Sequence, residues 1–193
     1  MTTRTAPESL PWTGQAEADR LIATDPNALL IGFVLDQQVT VQKAFSGPLE
    51  LSRRLGHLDV ARIAATDPLE IGEVFRTKPA LHRYPGVMAT RVQALCSHVA
   101  DQHDGDGARV WEGATTGAEL RARLGALPGI GDMKMRSLIV LLTKQYGVRP
   151  AGWEAELPGY PTLGDVTTAD ELETYQQAKR DFKAAKRAAA ADV

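Results

Sequence analysis

The residues best placed to do chemistry form one short run, Leu127-Pro128-Gly129-Ile130-Gly131. Glycines allow positive φ and close approach of another molecule to the backbone. Pro128 fixes the entry to the turn, and Ile130 can plug it onto a core. At the start of a following helix, successive backbone N–H groups converge on one point. Such a point favours an anion, through hydrogen bonds and the helix dipole together. Donors of this kind position a phosphate without reading base sequence. The same five residues also make a plain turn between two helices, so the run alone leaves both readings open.

Charge sharpens the choice. From Glu119 to Trp153 the bases Arg121, Arg123, Lys134, Arg136, Lys144 and Arg149 outweigh the acids Glu119 and Asp132, a net +4. From Glu154 to Glu173 there are six acids and neither Lys nor Arg. The whole chain, at −2, does not advertise a nucleic-acid binder. His57, His82, His98 and His103 show no metal spacing, so no metal is expected. Cys96 is the only cysteine, so the chain supplies neither a disulfide nor a four-cysteine cluster.

Helices must carry these residues. Asp25-Pro26 and Asp67-Pro68 each set an N-cap acid before a proline at the first helical position. Thr116-x-x-Glu119 and Thr168-x-x-Glu171 have the spacing of capping boxes. Ala28 to Leu35 is apolar on every side, as a central buried helix should be, and Thr40 caps a helix from Val41. Further helices are expected near 59–65, 68–75, 87–102, 118–125 and 132–146. Gly147 to Val166, with three prolines and four glycines, reads as an irregular connection. A last helix near 169–189 carries Leu172, Tyr175 and Phe182 as an apolar stripe among Lys179, Arg180, Lys183, Lys186 and Arg187. No alternating strand is found, and the class is all-α.

The segment Leu29-Leu30-Ile31-Gly32-Phe33-Val34-Leu35-Asp36-Gln37-Gln38-Val39-Thr40, followed at distance by the hairpin and then the apolar helix Met133 to Tyr146, resembles the helix-hairpin-helix (HhH-GPD) DNA glycosylase superfamily. That superfamily includes endonuclease III and the alkyladenine glycosylases. The resemblance runs from Leu29 to Arg149. It implies a two-lobed helical fold in a single unit. A mainly helical lobe would span 13–116 with Gln37 and Gln38, a helix-hairpin-helix 117–150, and a loop with the C-terminal helix 151–193.

The resemblance also implies a function: hydrolysis of the N-glycosidic bond of a damaged base in double-stranded DNA, by a monomer. Base excision passes through a cation-like sugar and requires a nearby carboxylate, with the nucleotide flipped out of the stack. The superfamily's aspartate is missing from its usual place, since no aspartate lies between Asp132 and Asp165. Glu154, just after Trp153, is the candidate catalytic acid, with Glu156 as its neighbour. Loss of catalysis, leaving a binder of damaged or distorted DNA, is the alternative. Met133 stands where bifunctional members carry a nucleophilic lysine, and Lys134 lies one step, ~100°, around the helix. No lyase step is therefore expected.

DNA contacts are expected from Leu127, Pro128, Gly129, Ile130, Gly131 and Lys134, and from Gln37 and Gln38, which would fill the gap left by a flipped base. Tyr84, Trp111 and Trp153 are candidates for stacking on that base. The expected cofactor set is empty, with no iron-sulfur cluster and, at most, a monovalent cation at the hairpin. Met1 to Trp12 lacks the apolar run of a signal peptide and no segment is long enough for a membrane span, so the expected location is the cytoplasm, away from membranes.

Overall fold

In the computed structural model, described for residues 6–191 and for the backbone alone at 182, 183 and 185–191, the chain is all-helical, with nine α-helices and no strand among the described residues. The helices are α1 (Ala16–Thr24), α2 (Pro26–Leu35), α3 (Val41–Leu55), α4 (Val60–Ala65), α5 (Pro68–Arg76), α6 (Pro85–His103), α7 (Gly117–Gly125), α8 (Asp132–Lys144) and α9 (Ala169–Ala191). Three short 3-10 turns lie at Gly107–Val110, Trp153–Glu156 and Leu163–Asp165. No described helix is long and apolar enough to cross a membrane.

The helix starts obey their local chemistry. The Asp25 carboxylate accepts from Asn27 N–H at 2.8 Å and Ala28 N–H at 3.1 Å. Asp67 does the same for Leu69 at 2.8 Å and Glu70 at 3.3 Å. Each such cap contributes on the order of 1 kcal/mol. Thr168 and Glu171 form a reciprocal capping box. At α7 the exchange is different: Thr116 Oγ1 accepts from Glu119 N–H, while the Glu119 carboxylate reaches past it to the N–H and hydroxyl of Thr115. Helix α1 has no start signal to read, because Gln15 provides no side-chain cap. Its Asp19 is spent backwards instead, accepting from Trp12 N–H, Thr13 N–H and the Thr13 hydroxyl.

Helix α2 is the axis of the molecule. Every residue from Ala28 to Leu35 is buried, and α1, α3 and α6 pack around it. Trp12, Phe33 and Phe45 meet edge to face, with centroids 4.8–6.1 Å apart. Helices α4 and α5 lie on α6. Helices α7 and α8 pair with each other and with the turns at Trp153–Glu156 and Leu163–Asp165. One continuous apolar core joins both groups. Two long-range bonds close the assembly: Tyr146 Oη donates to Ala23 O at 2.9 Å, and Trp12 Nε1 to Val166 O at 3.2 Å.

Helix α9 begins where the stripe of Leu172 and Tyr175 predicts. Leu172 is buried, and Gln176 exchanges amide hydrogen bonds with Gln42 of α3. Lys179 sits over the Tyr175 ring. The side chains of Phe182, Lys183, Lys186 and Arg187 lie outside the described residues.

Candidate nucleic-acid interface

The hairpin joins the end of α7 to the start of α8. Leu127 and Ile130 are buried, and Ile130 N–H donates to Leu127 O at 3.2 Å, closing the turn. Only one of its glycines uses the left-handed region. Gly129 has φ +79°, whereas Gly131 has φ −83° and ψ 174°, extended backbone open to any residue. A Cβ at Gly129 would stand 3.3 Å from Val34 Cγ2, and one at Gly131 would meet nothing within 4 Å. Gly129 thus serves the hairpin's own seat on α2, and Gly131 is the position with open space in front of it.

At the N-terminus of α8 the N–H groups of Gly131, Asp132, Met133 and Lys134 make no hydrogen bond to the described residues, and no side chain caps the helix. These are the orphan donors that every helix start leaves over. Asp132 stands among them, but its carboxylate is paired with Arg136 at 2.8 Å. The hydrogen bond from Arg136 holds the Asp132 carboxyl below its ordinary value.

Lys134 is not a free surface cation. Its Nζ donates to Gly129 O and to Val34 O, each at 3.2 Å. Burial pushes its ammonium below the ordinary lysine value; the charge of Asp36 opposes this and that of Arg91 adds to it. The lysine is long enough to span the hairpin, and two carbonyls replace the water it loses. One contact is thereby fixed: the hairpin is fastened beside the C-terminal end of α2.

That end carries the glutamines. Leu35 O faces His82 Nε2 at 3.1 Å, and His82 Nδ1 accepts from Tyr84 N–H at 3.0 Å. Because Nδ1 accepts, the proton belongs on Nε2, which donates to Leu35 O. Burial lowers the His82 pKa below its ordinary value. Gln37 Oε1 accepts from Arg91 Nη1, which ties the loop to α6. Gln38 is exposed in the left-handed region at φ 56°, and its Oε1 accepts from Tyr84 Oη at 3.2 Å. The two glutamines therefore have different situations: Gln37 is half-buried and held by Arg91, and Gln38 stands out with Tyr84.

The aromatic candidates separate as well. Tyr84 is 39% exposed, with the Arg83 guanidinium 5.5 Å from its ring centre. Val87, one turn further along α6, and Met133 on α8 are exposed too. Trp111 is 2% exposed, inside the core, so no base can reach its face; this corrects its candidacy for stacking on a flipped base. Trp153 is half-buried, with the Arg149 guanidinium over its ring.

Glu154 is exposed on the turn Trp153–Glu156, which rests on α7 and α8. Its side chain makes no hydrogen bond or ion pair with the described residues. Glu156 is the occupied one of the two, 3.4 Å from Arg121 of α7. Most of the basic stretch is likewise committed. Arg123 pairs with Glu119 at 2.6 Å, Lys144 with Asp165 at 2.5 Å, and Arg149 donates to Thr143 O at 3.0 Å.

Three members of this constellation were not legible as site residues in the sequence. Asp36 lies beside the two glutamines but has no distinguishing spacing. His82 lacks a metal pattern. Arg91 is 54 positions from the Gln37 it holds. Among the described residues no group of three or more His, Cys, Asp or Glu is arranged to hold a metal. No family model matches this chain, and neither does any curated protein or solved structure.

Proposed function

We propose that this chain is a DNA-binding protein of the helix-hairpin-helix base-excision type, which hydrolyses the N-glycosidic bond of a damaged base without a lyase step. The observation that carries the reading is Lys134 bonded to both Gly129 O and Val34 O. It sets the unpaired N–H groups at the start of α8 beside the end of α2 that carries Gln37 and Gln38. In this reading the α8 N-terminus takes one phosphate, and Gln38 with Tyr84 meets the duplex near the altered base. Gln37 keeps the loop in place through Arg91.

A second reading, recognition of distorted DNA without cutting, is favoured by the position of Glu154. The acid picked out by its place after the hairpin is exposed on a turn that rests on α7 and α8.

The test is to measure binding to a set of duplexes, each with one lesion or mismatch, and to heat each mixture in alkali to reveal abasic sites. The base-excision reading expects tighter binding to some lesion and alkali-labile product from it. Selective binding with no product leaves the second reading. Failure to bind any duplex at low salt removes both.

A further inference from the structure

We infer that Asp36, and not Glu154, is the carboxylate that serves hydrolysis; the inference rests on the base-excision reading above. Asp36 follows the last residue of α2 and is the central residue of a tight turn, in which Gln37 N–H donates to Leu35 O at 2.7 Å. With φ −71° and ψ 71° it has the geometry of an inverse γ-turn, so the chain leaves the helix axis at this residue. Its neighbours are fixed on both sides. Val34 O takes the Lys134 ammonium, Leu35 O takes His82, and Gln37 takes Arg91.

Asp36 itself is half-buried. Its carboxylate makes no side-chain hydrogen bond and no contact ion pair among the described residues. This sets it apart from Asp25, Asp59, Asp67 and Asp106, whose carboxylates cap helices. Lys134 is near enough for the two charges to act on each other, yet its bonds go to the carbonyls of Val34 and Gly129. An unspent carboxylate, on a backbone fixed by its neighbours at the junction of hairpin and glutamine loop, is what a sugar cation needs. Glu154 is equally unspent, but it stands on the turn packed against α7 and α8.

The reaction balances without a cofactor. The bond from C1′ to the base nitrogen breaks, and its electron pair leaves with the base. The Asp36 carboxylate stabilises the positive charge that develops on the sugar and accepts a proton from the incoming water. The water oxygen bonds to C1′, and the proton passes on to the departing base. One water is consumed, and a free base and an abasic site result.

Single-turnover excision is measured for the parent, Asp36→Asn, Asp36→Glu and Glu154→Gln on the lesion duplex that the parent processes best. Lesion affinity and thermal midpoint are recorded for each. The expected result is a rate loss on the order of 100-fold or more for Asp36→Asn, with affinity within about threefold and an unchanged midpoint, because the amide keeps the shape but not the charge. Asp36→Glu should recover part of the rate, and Glu154→Gln should match the parent. An Asp36→Asn protein that excises at the parent's rate overturns the inference while leaving the base-excision reading in place. A parent that excises nothing from the panel overturns that reading, and the inference falls with it.

Discussion

The two hairpin glycines should fail in different ways when each is given a methyl group. In Gly129→Ala the new Cβ must sit at φ +79°, where an L-residue costs ~1–2 kcal/mol. It must also fit 3.3 Å from Val34 Cγ2, which has little room to move inside the buried stretch Ala28 to Leu35. Against this stands a gain of about 0.4–1 kcal/mol from the stiffer unfolded chain. The net loss is ~1 kcal/mol, or roughly 2–4 °C in thermal midpoint for a chain of this length. Gly131→Ala has neither penalty, since φ is −83° and nothing lies within 4 Å. Its midpoint should hold or rise slightly. Its methyl, however, stands among the unpaired N–H groups and should obstruct a phosphate there. Loss of one such contact is worth about 1.4 kcal/mol, a tenfold drop in affinity for every duplex, damaged or not. Circular dichroism melts and fluorescence-anisotropy titrations read the two effects separately. If Gly131→Ala binds as tightly as the parent, no phosphate is held at the α8 N-terminus. If both variants lose stability alike, the assignment of Gly129 to internal packing is wrong.

The remaining predictions concern charge. Because most bases of the stretch Glu119 to Trp153 are paired internally, DNA affinity should fall only shallowly with salt, with a slope of roughly −2 to −4 for two to four phosphate contacts; a slope near −9 would place the binding surface elsewhere. Borohydride should trap no covalent adduct with DNA, since Lys134 is spent on two carbonyls; an adduct abolished by Lys134→Ala would refute this. The folded-state pKa of His82 lies below its ordinary 6.5, so its contribution to stability is complete above about pH 6.5 and is lost as pH falls below it. Urea midpoints between pH 7.5 and 5.5 should therefore drop more for the parent than for His82→Gln. Arg54 donates to Val74 O, Thr77 O and Pro79 O at 2.7–2.8 Å, and Arg54→Ala should cost about 2–3 kcal/mol in urea unfolding. Arg54→Lys should recover only part, because one ammonium cannot reproduce the fork of a guanidinium.

Local chemistry is enough to determine much of this protein. A carboxylate before a proline can cap only the helix that follows it, so Asp25 and Asp67 start α2 and α5 whatever surrounds them. A run of apolar residues such as Ala28 to Leu35 has no polar face to turn to water and must become the centre of the fold. The turn at Leu127–Gly131 was legible for the same reason, since Pro128 and the left-handed Gly129 act within a few bonds. Helix α1 was not, because Asp19 caps the segment before it rather than the helix itself.

Tertiary structure alone decided which charges remain free. The sequence shows a basic stretch followed by an acidic one. Folding lays Glu156 on Arg121 and Asp165 on Lys144, so much of that contrast is cancelled internally. It also decided that Gly129 is needed for packing against Val34 while Gly131 is not, and that Gln37 belongs to Arg91 while Gln38 belongs to Tyr84. These distinctions depend on partners tens of residues away. A side chain's surroundings in space are set by how helices pack, and no local pattern encodes that.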